Sequence, residues 1–159
     1  MTNSIGLNTA SSQKIAEELN NLLATYQVFY MNVRGYHWNI KGVQFFSLHE
    51  KFEEYYDDLV EKIDEIAERI LTLGYIPSNI FSEYLKVSKV QEHTGATSAQ
   101  DTLQGALKGF QILLQQQREI LALAGDADDE GTASLMSDYI KEQEKTIWML
   151  KAACVSCNA

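Results

Sequence analysis

Two histidines and three carboxylates carry the chemistry most open to this chain. They lie in the stretch YHWNIKGVQFFSLHEKFEEYYDDLVEKIDEIAERI, from Tyr36 to Ile70: His37 and His49, then Glu53, Asp64 and Glu68. Imidazole with carboxylate is a ligand set for iron, zinc or manganese. From about Gln44 to Leu73 the apolar residues Phe45, Leu48, Phe52, Tyr56, Leu59, Ile63, Ile66, Ile70 and Leu73 recur at helical spacing. The segment therefore reads as one amphipathic helix, with Gly74 and Pro77 ending it. Measured round that helix from His49, Glu53, Asp64 and Glu68 fall at about 40°, 60° and 100°, so all four share a face. Along the axis, however, His49 and Asp64 are about 22 Å apart. Metal–ligand bonds of about 2.0–2.2 Å rule out one ion between them in a single chain. Two copies packed antiparallel about a twofold axis bring the His49/Glu53 end of one helix to the Asp64/Glu68 end of the other.

The elements that must position these groups are four long helices. The first runs from about Ser12 to Trp38, with Ile15, Leu19, Leu22, Tyr26, Phe29, Val33 and His37 in register. The turn Asn39–Gly42 joins it to the second as an antiparallel hairpin. Residues 74–98 form a crossover in which Asn79–Leu85 suggests a short extra helix. Ser98 with Asp101 resembles a capping box for a third helix over about Ala99 to Ala124, ended by Gly125. The acidic loop GDADDEG, Gly125–Gly131, leads to a fourth helix over about Thr132 to Ala153. No strand pattern competes. Two hairpins and one long connection describe an all-α, ferritin-like four-helix bundle with a short helix in the crossover between its second and third helices. The Glu-x-x-His pair that such bundles use for metal in their core does not occur here, which again sends the ligands to an interface.

The 159 residues, 45% hydrophobic with a single proline, suit one domain over 1–159, with flexible tails at 1–11 and 154–159. A formal charge of −9 disfavours nucleic acid and anionic membrane and attracts cations. No apolar run reaches the length of a membrane span and the N-terminus lacks a secretion signal, so the expected compartment is the cytoplasm. Cys154 and Cys157 form a C-x-x-C that admits a redox pair or half a zinc site. With no second pair, two reduced thiols on a frayed tail is the plainer reading. His93 is a lone histidine in a polar loop and receives no role.

The run YHWNIKG…FF.LHE.FE…DEIAERI, with the long crossover, acidic loop and TIWMLKA near the end, resembles the signature of the Dps proteins, or mini-ferritins, over essentially the whole chain. The resemblance implies a shell of twelve subunits with ferroxidase sites at dimer interfaces. His37, His49 and Glu53 would come from one subunit, and Asp64 and Glu68 from its twofold mate. The family position matching Glu53 is often Asp, and the longer Glu shifts or weakens a second metal position. Trp38 matches a tryptophan that intercepts oxidising equivalents; plain interface packing is its alternative. The implied reaction oxidises Fe(II) to Fe(III), preferably with hydrogen peroxide, and stores ferric mineral inside, with zinc as a competing occupant. Asp126, Asp128, Asp129 and Glu130 would line an acidic pore that admits iron; a plain solvated turn is the alternative. Members that bind DNA directly use lysine-rich tails; residues 1–13 and those after Lys151 contain no Lys or Arg, so direct DNA binding is not expected. A nucleoid-associated shell and a metal-buffering bundle without turnover are the competing readings.

Overall fold

The computed structural model describes residues 1–157, in the order α1 (Thr9–Asn39), α2 (Phe45–Thr72), α3 (Phe81–Val87), α4 (Ala99–Asp126) and α5 (Glu130–Ala153). Among the described residues there is no strand, only a single bridge between Thr2 and Asn8. Helix α1 packs on α2 and α4, α4 on α5, and the short α3 rests against α1. The result is a four-helix bundle of two hairpins with one helix-bearing crossover.

Capping explains most of the boundaries. Asn8 opens α1 by accepting a hydrogen bond from the Ser11 N–H at 3.1 Å, and Ser98 opens α4 in the same way from Asp101. Helix α2 stops where its pattern does. Gly74 takes φ +95°, its N–H bonds to the Leu71 carbonyl, and the Tyr75 N–H reaches back to Ile70. This is a Schellman closure, which needs a left-handed residue at that position.

Three expectations are corrected. The segment 1–11 is folded rather than a loose tail. The Asn3 carboxamide oxygen accepts from the Ile5 and Leu7 amides, its nitrogen donates to Ser12 Oγ and the Leu73 carbonyl, and Leu7 packs against the core. Helix α4 does not end at Gly125, which stays helical. Asp128 is the left-handed residue, at φ 55°, with its N–H bonded to the Gly125 carbonyl and the Asp129 N–H to Ala124. Asp tolerates this region where most residues do not. At the C-terminus, Cys154 and Cys157 are joined in a disulfide rather than left as two thiols. The backbone turns there, with the Cys157 N–H bonded to the Cys154 carbonyl, so the Cα atoms come to 5.3 Å, within bridging range. The remainder of the expected tail, 158–159, lies outside the described residues.

The core holds the apolar stripe of α1, where Leu19, Leu22, Tyr26, Phe29 and Val33 are fully buried. Phe29 meets Phe110 edge to face at 5.0 Å, an arrangement that aromatic quadrupoles favour. It fits only because Gly109 faces it: a Cβ there would lie 2.1 Å from the Phe29 ring. At the centre three buried side chains close a ring. Tyr26 Oη donates to Gln117 Oε1 (2.5 Å), Gln117 Nε2 to Gln143 Oε1 (2.7 Å), and Gln143 Nε2 back to Tyr26 Oη (2.8 Å). Burial holds the Tyr26 phenol well above its ordinary pKa, so it stays a donor. Beside the ring, the buried Lys62 ammonium bonds Asp58 at 2.6 Å and Glu142 at 2.8 Å and lies 5.1 Å from the centre of the Tyr139 ring. Burial disfavours that charge, but the two carboxylates outweigh it and the pKa is raised.

Gly109→Ala drives a methyl into the Phe29 ring, and we expect a loss of about 1–3 kcal/mol, as for other overpacked cores. Urea unfolding followed by circular dichroism measures it; an unchanged midpoint would show that the α1–α4 contact is looser than described.

Candidate metal centre

Helix α1 ends at Asn39, which leaves its last carbonyls without helical partners. One of them, on His37, is taken by the imidazole of His49, at 2.7 Å from Nδ1. The reverse contact also forms, with His37 Nδ1 lying 2.6 Å from the carbonyl oxygen of His49. The rings stack at 3.8 Å with 13° between planes. A carbonyl only accepts, so in both histidines Nδ1 carries the proton. In the neutral ring this arrangement makes Nε2 the nitrogen with the lone pair, the atom that can face a metal. His37 is buried and His49 half-buried. Phe45 stacks on His49 at 4.9 Å, and Tyr56 meets His37 edge to face at 5.3 Å.

Glu53 lies one turn beyond His49 on α2 and is exposed, as are Asp64 and Glu68 further along. Tyr56 Oη sits 3.5 Å from Glu53 Oε1. Its phenol is pushed above the ordinary range by desolvation and then by Glu53 and Asp57. Among the described residues, no three His, Cys, Asp or Glu side chains converge to hold an ion. Within one chain the structure brings His37 and His49 together, leaves Glu53 one turn further along α2, and does not bring Asp64 and Glu68 to them.

Residues that carry no metal-ligand signature complete the surroundings. The Arg34 guanidinium lies 4.8 Å from the centre of the Trp38 ring and 5.5 Å from those of Tyr30 and Tyr56. Arg34, Tyr30 and Trp38 sit at i, i−4 and i+4 on α1. That spacing was readable in the sequence, but cation–π pairing leaves no pattern distinct from core periodicity. Trp38 itself is 57% exposed beside the histidines. Exposed apolar side chains continue along α2 and into the crossover, among them Val60, Leu71, Ile76, Ile80, Phe81 and Leu85.

The acidic loop needs one correction. Asp126, Asp128 and Glu130 are exposed, but Asp129 is 1% exposed and is not free to line a pore. Its carboxylate caps α5, accepting from the Thr132 N–H at 3.0 Å and the Thr132 hydroxyl at 2.6 Å, and pairs with Arg69 at 2.7 Å. Arg69 Nε also donates to Thr132 Oγ1. The turn from α4 to α5 spans only Ala127–Asp129, so the cap position falls on an aspartate that composition alone marks as solvated.

The ferritin-like domain profile matches residues 16–158. A Dps protein from Vibrio cholerae O1, described as a member of a broad superfamily of ferritin-like diiron-carboxylate proteins, superposes with a TM-score of 0.94 at 63% identity over 95% of each chain. This chain belongs to the Dps family of the ferritin-like superfamily. Among Dps relatives, a DNA protection during starvation protein of Porphyromonas gingivalis is 48% identical over 92% of each chain. An uncharacterized protein of Haemophilus influenzae is 63% identical over 98% of this chain and 97% of its own.

Asp129→Ala in this Dps chain removes the α5 cap and leaves Arg69 without its partner. We expect a loss of about 3–5 kcal/mol, the range for breaking a buried pair. Asp128→Ala leaves the Arg69 pair intact and places Ala in left-handed backbone, at about 1 kcal/mol. Thermal unfolding of the two variants side by side tests the assignment; equal losses would overturn it.

Proposed function

We propose that this protein is a ferroxidase that oxidises Fe(II) and stores the ferric product inside a shell of twelve copies, with hydrogen peroxide as the preferred oxidant. The observation that carries the reading is the reciprocal His37–His49 lock, which engages both Nδ1 atoms and leaves both Nε2 atoms for a metal, with Glu53 one turn further along α2 and Asp64 and Glu68 too far along it to join them. A second copy related by a twofold axis supplies those two carboxylates, and the exposed apolar stretch on α2 and the crossover is the surface on which it docks. Two identical sites form per dimer. The donor set fits Fe(II), a borderline cation served by imidazole and carboxylate, and it also admits zinc, a competing occupant.

In this reading iron is the substrate. His37, His49 and Glu53 from one copy, with Asp64 and Glu68 from the other, hold Fe(II) while peroxide takes two electrons: two Fe(II), one H2O2 and two protons give two Fe(III) and two water molecules. Pairing the electrons avoids hydroxyl radical. Glu53, one methylene longer than Asp, reaches the site from further back and weakens a second metal position. Trp38, exposed and held by Arg34, supplies an electron when an oxidising equivalent escapes. Asp126, Asp128 and Glu130 line the path by which iron enters, and the acidic charge of the chain draws cations toward it. Among the described residues no helix is long and apolar enough to cross a membrane.

Combined His37→Ala and His49→Ala substitution should lower the initial rate of ferric formation by roughly 100-fold or more, with the particle intact on sizing chromatography. Asp64→Ala with Glu68→Ala should do the same. Co-assembling the two double variants in equal amounts should restore about a quarter of the wild-type sites, because random pairing yields heterodimers with one complete site each. No recovery on mixing would sink the shared site, and full activity in the histidine variant would sink the ferroxidase assignment. The lack of Lys and Arg in residues 1–13 and after Lys151 gives a separate expectation: plasmid DNA should migrate unretarded with the protein at about 150 mM salt, where phosphate contacts by Lys and Arg sustain binding. A retarded band without added divalent metal would refute it.

A further inference from the structure

The chain has two cysteines, both at the end of α5, and their bridge has no structural task large enough to explain it. It joins positions three residues apart in one turn, so it ties no two elements together. Disulfide stabilisation grows with the length of the closed loop, and this loop is close to the shortest that can be closed. The bridge is also reachable. Val155 and Ser156 between the cysteines are exposed, and a hollow of about 440 Å³ lies alongside, lined by Ala99, Gln100 and Leu103 of α4 and by Gln44. The two sulfurs differ in exposure: Cys154 is 6% exposed whereas Cys157 is only partly buried. Cys157 Sγ lies 4.0 Å from the Gln100 carbonyl, an acceptor for its S–H in the reduced form.

We infer that Cys154 and Cys157 form a two-electron redox couple, oxidised to the disulfide by peroxide and returned to the dithiol by thiol–disulfide exchange. In the oxidising direction the more accessible Cys157 thiolate attacks the O–O bond, giving a sulfenic acid and one water. The Cys154 thiol then attacks that sulfur, closing the bridge and releasing a second water. Two thiols are oxidised and one peroxide is reduced. In the return direction a thiolate of an external dithiol attacks Cys157 Sγ and Cys154 leaves as thiolate and takes up a proton. The second thiol of the reductant then resolves the mixed disulfide, releasing Cys157 and the oxidised reductant. The couple also sits at the metal end of the bundle. Gln44, on its rim, is the N-cap of α2, and at about 1.5 Å per residue His49 lies roughly 7–8 Å further along that axis.

The test needs no iron, so its outcome is independent of the ferroxidase reading. The assembled protein is reduced with dithiothreitol, freed of reductant and metal with chelator present, and titrated with hydrogen peroxide while thiols are counted by alkylation and mass spectrometry. Both thiols should disappear at one peroxide per chain, with the bridge formed inside each chain. In Cys154→Ser, dimedone should trap sulfenic acid at Cys157. In Cys157→Ser the buried Cys154 should react roughly tenfold more slowly, as thiol oxidation follows exposure. Dithiothreitol should reopen the bridge in the native particle, and the thermal midpoint should hardly move between the two forms. Three results would each overturn the couple: thiols that survive excess peroxide, a bridge that opens only after unfolding, or disulfides formed between chains. A large fall in thermal midpoint on reduction would identify a structural bridge instead.

Discussion

The candidate metal centre depends on two hydrogen bonds between the last turn of α1 and the first turns of α2. A helix end must dispose of carbonyls that have no helical partner, and here the imidazole of His49 satisfies one of them. The same bond fixes which nitrogen of that ring holds the proton. Because His37 returns the contact, the pair sets the register of the hairpin, the stacking of the rings and the orientation of both free nitrogens together. The same contacts that join the two helices therefore also fix how the imidazoles are presented.

Distance along a straight helix keeps Asp64 and Glu68 away from the histidines. Nothing in the fold of one chain can bring Asp64 back to His49, since α2 runs unbroken from Phe45 to Thr72. The seam between α2 and α5 keeps it in place with long polar side chains: Lys62 to Glu142, Tyr139 to Glu65, and Arg69 to Asp129. Where bundle metalloproteins converge carboxylates on their centre, this one has an ammonium, two carboxamides and phenols. The acids are spent on the surface, and the centre offers a cation little to bind.

Much of this was legible in the sequence, for identifiable reasons. The bounds of α2 follow from its apolar period and from Gly74, which had the left-handed conformation its position required. The bounds of α4 do not, because Gly125 looked like the natural stop while an aspartate three residues later took the strained role. That misplacement carried Asp129 into an imagined loop when it is in fact a buried cap. Spacing singled out the histidines and carboxylates as candidates, but not the imidazole–carbonyl exchange, which depends on how the two helices meet rather than on either one. Asn3 and the C-terminal cysteines were misjudged because short polar segments near chain ends leave no periodic trace.

The ring of Tyr26, Gln117 and Gln143 has a bearing on how such a protein can change over generations. Each member gives one hydrogen bond and receives one, so the set is self-sufficient and needs no water. An apolar replacement at any single position strands a donor on one neighbour and an acceptor on the other, in the driest part of the molecule. The three sites, drawn from three different helices, are therefore bound to a common fate: drift at one is blocked until the others move with it, and a lineage leaves this arrangement only by exchanging all three.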